Sequence, residues 1–162
     1  DVKPKDEVVN WVQHLVCAAA GNELTTVVCG KVPAKRVEFG PLDRPEAEER
    51  LRELLELVAD GEDAPLPFAP KTSQDFWHTY QDDPDSPETL RAALLAARAA
   101  WINEYRPFDG DSDDAYLYRA FGDEGPMAPA RQERFKTIAE TVFSHMEPHV
   151  VEQEKKGRKK KS

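Results

Sequence analysis

Between Pro65 and Trp77 the chain reads Pro-Leu-Pro-Phe-Ala-Pro-Lys-Thr-Ser-Gln-Asp-Phe-Trp, a stretch with few conformations open to it. Pro65, Pro67 and Pro70 hold the backbone extended, so Leu66 and Phe68 lie along a surface rather than on a helix. Thr72 or Ser73 can then cap a helix that carries Phe76, Trp77 and Tyr80. The result is an aromatic helix hung from a proline-stiffened apolar strap. The strap is expected to tie a small β element to a late helical cluster and to orient Phe76 and Trp77 into that cluster.

Apolar periodicity organises the chain on both sides of the strap. Val8, Trp11, Val12, Leu15 and Ala19 give one apolar face to a helix from about Asp6 to Ala20, and Gly21 is placed to stop it. Leu24–Cys29 and Lys35–Phe39 read as a short antiparallel pair, the first rich in β-branched residues. A helix from about Pro45 to Ala59 follows, with Asp43 as cap, Glu46 three residues on, and a buried stripe of Ala47, Leu51, Leu54, Leu55 and Val58. Beyond the strap, Ser86-Pro87 starts a long helix lined by Leu90, Leu94, Ala97 and Trp101, which Pro107 breaks. A short helix at about Asp114–Phe121 and a last one from Ala130 to about Glu147 complete the pattern. The whole predicts an α+β chain, mostly helical, with a short β element and about five helices. Residues 1–152 form one domain, and 153–162 a basic, disordered tail.

Charge narrows the function. All 31 acidic residues but only 16 of the 22 basic ones precede residue 155, leaving that body at −15. An acidic body repels phosphate, which argues for a protein-facing role over a main DNA-gripping surface. The run Lys155–Lys161 could touch nucleic acid nonspecifically, but a solvated tail is the simpler reading. No apolar run approaches the roughly 18 residues of a membrane span, and no leader pattern is visible, so a cytoplasmic protein is expected. The first residue is Asp1, which suggests a processed chain or part of a longer one. Cys17 and Cys29 sit on apolar faces and read as buried, reduced thiols without zinc-site spacing.

No motif for chemistry is complete in the sequence. Asp109-Gly-Asp-Ser-Asp-Asp opens like a calcium loop, but Asp114 stands where glycine is needed and Ala120 where a bidentate Glu should be. His145 and His149 share helical spacing, yet Pro148 lies between them and no zinc motif forms. His14 is expected to be half-exposed, and His78 flanks the aromatic pair. Lys71 and His78 in the strap region have no visible partners. An Asp or Glu two residues before Lys occurs at Asp1–Lys3 and Glu154–Lys156, with no upstream acid to complete a magnesium site. No glycine-rich phosphate loop is present. Trp11, Trp77 and Trp101 could stack bases, but their apolar faces favour core packing. No catalytic, cofactor-binding or metal-binding residue is assigned, no cofactor is implied, and any nucleic-acid-binding residue is unknown.

The strap, the segment Trp11-Val-Gln-His14-Leu15 to Gly21, the helix Ala47–Val58 leading to Pro65-Leu-Pro, and the succession Ala97-Arg98, Trp101, Asp114-Ala-Tyr116, Phe121-Gly122 and Phe135–Met146 together resemble the RecC family. That family is the gamma subunit of bacterial exodeoxyribonuclease V, and the likeness is to its C-terminal region across about residues 8–149. The resemblance implies the distal part of a restriction-endonuclease-like third domain that lacks catalytic residues. It further implies docking to the alpha and beta subunits and shaping of DNA-strand paths in a helicase-nuclease that processes double-strand breaks. Gln13 has Cys17 rather than tyrosine four residues on, a departure from the helix motif of active nuclease relatives. A functional magnesium nuclease and an unrelated helical adaptor stay open as alternatives.

Overall fold

The structure, a computed structural model, describes residues 2–30, 35–59, 66–104 and 113–154. Its described elements run α1 (Pro4–Ala19), β1 (Thr26–Cys29), β2 (Lys35–Phe39), α2 (Arg44–Ala59), α3 (Pro70–Tyr80), α4 (Pro87–Glu104), α5 (Asp113–Phe121), α6 (Gln132–Met146) and β3 (Val150–Glu154). Single 3-10 turns at Pro129–Arg131 and Glu147–His149 flank α6. The α+β, mostly helical class holds, with six α-helices among the described residues. The chain divides into two compact units, one of residues 1–52 and 146–162, the other of residues 53–145.

In the first unit, α1 starts earlier than its apolar periodicity suggests. Pro4 takes the first helical position, where no N–H is needed, and Asp6 and Glu7 complement the positive end of the helix dipole. Its end is as expected. Gly21 has φ +92°, its N–H donates to the Ala18 carbonyl at 3.0 Å, and the Asn22 N–H donates to Cys17 at 3.1 Å. That pair of bonds closes the last turn with glycine in the left-handed position.

The antiparallel β1–β2 pair is present, but it is part of a three-stranded sheet in the order β1-β2-β3. β3 pairs antiparallel with β2, Phe39 opposite Val150 and Lys35 opposite Glu154. Gln153 and Glu154, assigned to the tail from sequence, are therefore strand residues. Residues 155–162 lie outside the described ones. Alternation points Val28, Val37 and Phe39 to the buried side beneath α1 and turns Val27 and Cys29 outward. Cys29 is thus exposed and Cys17 half-buried, both free, where buried thiols were expected.

The second unit is helical. α3 does not start at Thr72 or Ser73. Ala69 is the N-cap and Pro70 the first helical residue, because proline there loses no hydrogen bond. Thr72 and Ser73 are buried in the first turn, and the Ser73 hydroxyl accepts from the Ala69 N–H at 3.2 Å. The strap packs on the later helices: Phe68 stacks on Phe143 at 6.2 Å, and Phe76 meets Phe135 edge-on at 5.1 Å. α3 lies along α4, whose buried Ala93, Ala97 and Ala100 let the aromatic helix approach closely. On α6, Phe135, Ile138, Ala139, Val142, Phe143 and Met146 are all buried, as their spacing predicts.

The expected stripe of α2 is only partly covered. Ala47 is buried and Leu51 and Leu54 half-buried, but Leu55 and Val58 are 61% and 58% exposed. Leu55 stands at the edge of the stripe and Val58 in the last turn, where the helix end is held instead by Arg134 donating to the Leu57 carbonyl at 3.2 Å.

Candidate functional site

The first unit gathers its most chemically capable side chains beneath α1. His14 is 1% exposed, which corrects the half-exposed position expected from its polar neighbour. At about 100° per residue it shares the inward face with Trp11, Leu15 and Ala18. Its Nε2 lies 2.8 Å from the Gly40 carbonyl oxygen and its Nδ1 2.8 Å from the Thr26 hydroxyl. A carbonyl only accepts, so Nε2 carries the hydrogen and Nδ1 accepts from Thr26. Both nitrogens of a neutral ring are satisfied. Trp11 roofs the site, stacked on His149 at 5.4 Å and tilted on Phe39 at 5.2 Å. His149 Nε2 stands 3.6 Å from a Glu46 carboxylate oxygen.

Burial pushes the His14 pKa down, the Gly40 carbonyl opposes this by favouring a charged ring, and nearby His149 lowers it further. A histidine with a depressed folded pKa binds fewer protons when folded than when unfolded. Its contribution is therefore fully present above its unfolded pKa, about 6.5, and is lost as pH falls through the lower folded value. Stability should decline from pH 7.5 to 5.5 with a contribution from His14 of at most about 1.4 kcal/mol per pH unit. His14→Gln should flatten that decline in urea titrations. An unchanged slope would remove His14 as its source.

A general base must reach its substrate, and this ring is sealed with both nitrogens engaged. What the cluster does is hold α1 to the start of β1 and to the chain leaving β2. The other candidates fall elsewhere. Trp11, Trp77 and Trp101 are all core residues rather than stacking platforms. His145 pairs with Glu53 at 2.9 Å within the second unit, so it has an acidic partner the sequence did not disclose. His78 is exposed, and Lys71 pairs with Asp75 at 2.8 Å. Among the described residues no three His, Cys, Asp or Glu side chains are gathered for a metal. Lys3 is the N-cap of α1, while Asp1, Lys155, Lys156 and residues 109–112 of the acidic turn lie outside the described ones.

The open feature of the first unit is the outer side of α1. Val9, Val12 and Val16, at steps of three and four, form a stripe with exposures from 37% to 49%. Val12, expected on the inward face, belongs to this outer one. The helix is apolar over more than half its circumference, and the sheet covers only part of that arc.

The first unit thus combines a sealed polar cluster with an uncovered apolar helix face. The model of the RecC C-terminal domain family matches residues 1–81, half of the chain, and the chain belongs to that family. The match takes in α1, the β1–β2 pair, α2, the strap and α3, and ends one residue past Tyr80; the resembling segments from Ala97 onward lie beyond it. No curated protein matches the chain. Membership gives it the context of the exodeoxyribonuclease V gamma subunit, part of a multi-subunit complex acting on DNA in repair and recombination. No helix among the described residues is long and apolar enough to cross a membrane.

Proposed function

We propose that this chain is a non-catalytic assembly domain of the exodeoxyribonuclease V gamma subunit, the distal part of a nuclease-like third domain. It docks the alpha and beta subunits, helps route separated DNA strands through the complex, and works in the cytoplasm without a cofactor of its own. The observation that carries the reading is the stripe of Val9, Val12 and Val16, inside the segment that matches the family and open to solvent. Exposed apolar side chains arranged as a helical stripe are what a partner surface buries. The acidic balance of residues 1–154 supports protein contact over strand gripping.

Copurification with the alpha and beta subunits tests the proposal. Val12→Asp/Val16→Asp should reduce capture at least tenfold while leaving the melting temperature within about 2 °C, since both side chains already face water. Undiminished capture would remove the stripe as the docking face. Magnesium-dependent cleavage of linear DNA by the chain alone would overturn the non-catalytic reading in favour of a nuclease.

A further inference from the structure

On the second unit, α4 turns a mixed face to solvent. Arg91, Leu95, Arg98 and Ile102 follow one another at steps of four, three and four, which lines them up in one stripe. Leu95 and Ile102 are 65% and 57% exposed. Beside the stripe runs a groove of about 350 Å³ with Leu94, Leu95, Met127, Pro129 and both arginines among its lining residues. Neither arginine has an ion pair or hydrogen bond among the described residues. Seven residues of helix separate them by about 10 Å.

Two unpaired guanidinium groups bordering an apolar groove are conspicuous in a chain with a net charge of −9. Carboxylates are plentiful, yet among the described residues none forms an ion pair with either arginine. We propose that the groove docks an amphipathic helical segment of a partner protein. That segment presents aliphatic side chains to the floor and two acidic residues, about two turns apart, to Arg91 and Arg98. Arginine suits the task because its planar fork grips a carboxylate with two parallel hydrogen bonds. Glu124 lines the same groove and repels a wholly acidic segment, so the fit is to aliphatic residues bracketed by acids rather than to a polyanion.

Nucleic acid fits less well. Strand-binding grooves stack bases on exposed aromatic rings, and no aromatic residue is among those lining this one. Phosphates also meet the repulsion of the whole acidic chain. The site lies on α4 and the 124–132 segment of the second unit and does not depend on the assembly reading.

The experiment is a selection of displayed random 16-residue helical peptides on the full 162-residue chain, with an oligo-dT 15-mer titrated in parallel by fluorescence anisotropy. Peptides with two or more aliphatic residues between acids are expected to be enriched. Arg91→Glu/Arg98→Glu should weaken the selected peptides at least tenfold with an unchanged thermal melt. The same double variant should shift a repeat selection towards basic peptides. No enrichment, enrichment indifferent to the arginines, or oligo-dT binding that the double variant abolishes would each overturn the proposal.

Discussion

Trp101→Ala is expected to cost about 4–5 kcal/mol, read from the urea midpoint at constant slope, the largest single loss in the second unit. Trp101 is 1% exposed, and its indole N–H donates to the Gly122 carbonyl at 2.9 Å. The ring stacks on Tyr118 at 6.3 Å and meets Phe121 edge-on at 6.2 Å. The turn that follows α5 is wrapped around it. Gly125, at φ +75°, comes so near that a Cβ there would lie 3.0 Å from the Trp101 ring and 2.8 Å from the Met127 sulfur. Arg131 braces the same turn, donating to the Phe121 and Gly125 carbonyls at 3.1 and 3.0 Å with its guanidinium over the Phe121 ring. Alanine would leave a large cavity and remove the indole hydrogen bond to the Gly122 carbonyl, which would keep only the Gly125 N–H at 3.3 Å. Trp101→Phe separates the two: it keeps most of the ring, loses the N–H, and should cost about 2 kcal/mol. A loss below about 1.5 kcal/mol for the alanine variant would mean that the turn closes without its hub.

Trp11→Ala is expected to cost about 3–4 kcal/mol and to change how His14 titrates. Trp11 contacts Phe39, His149 and His14, so its removal opens the roof over the buried imidazole. Water reaching His14 would relieve the burial that holds its pKa down, and the ring should titrate closer to the ordinary histidine range. Proton NMR of the His14 ring reads this directly, independently of the stability loss. Trp11→Phe, which keeps a flat ring over the site, should preserve most of the depression. If alanine destabilises the chain but leaves the His14 titration unmoved, burial by Trp11 is not what depresses it.

Much of the helical content was legible because a helix writes its inward face locally. The α6 pattern named its whole buried set, and Gly21 announced the end of α1 through a conformation that other residues adopt at a cost. Helix starts were less legible. At α1 and α3 a proline took the first helical position, whereas sequence reasoning started the first helix at about Asp6 and capped the second with Thr72 or Ser73. Lys71–Asp75, at the i,i+4 spacing of a helical ion pair, was a signal available in the sequence. The stripe of Val9, Val12 and Val16 was also present as periodicity, yet indistinguishable from a wider buried face.

The sequence by itself determined where the helices lie, the whole inward face of α6, and the aromatic content of the core, because those depend on neighbours three and four positions away. Its family was readable from the strap and the elements around it. Only the tertiary structure decided that β3 joins β2, that Cys29 faces out, that His14 is sealed between Thr26 and Gly40, and that Arg91 and Arg98 line a groove without an ion pair among the described residues. Each of these depends on partners distant in sequence. Periodicity tells where an apolar face points; only packing decides how much of that face is covered.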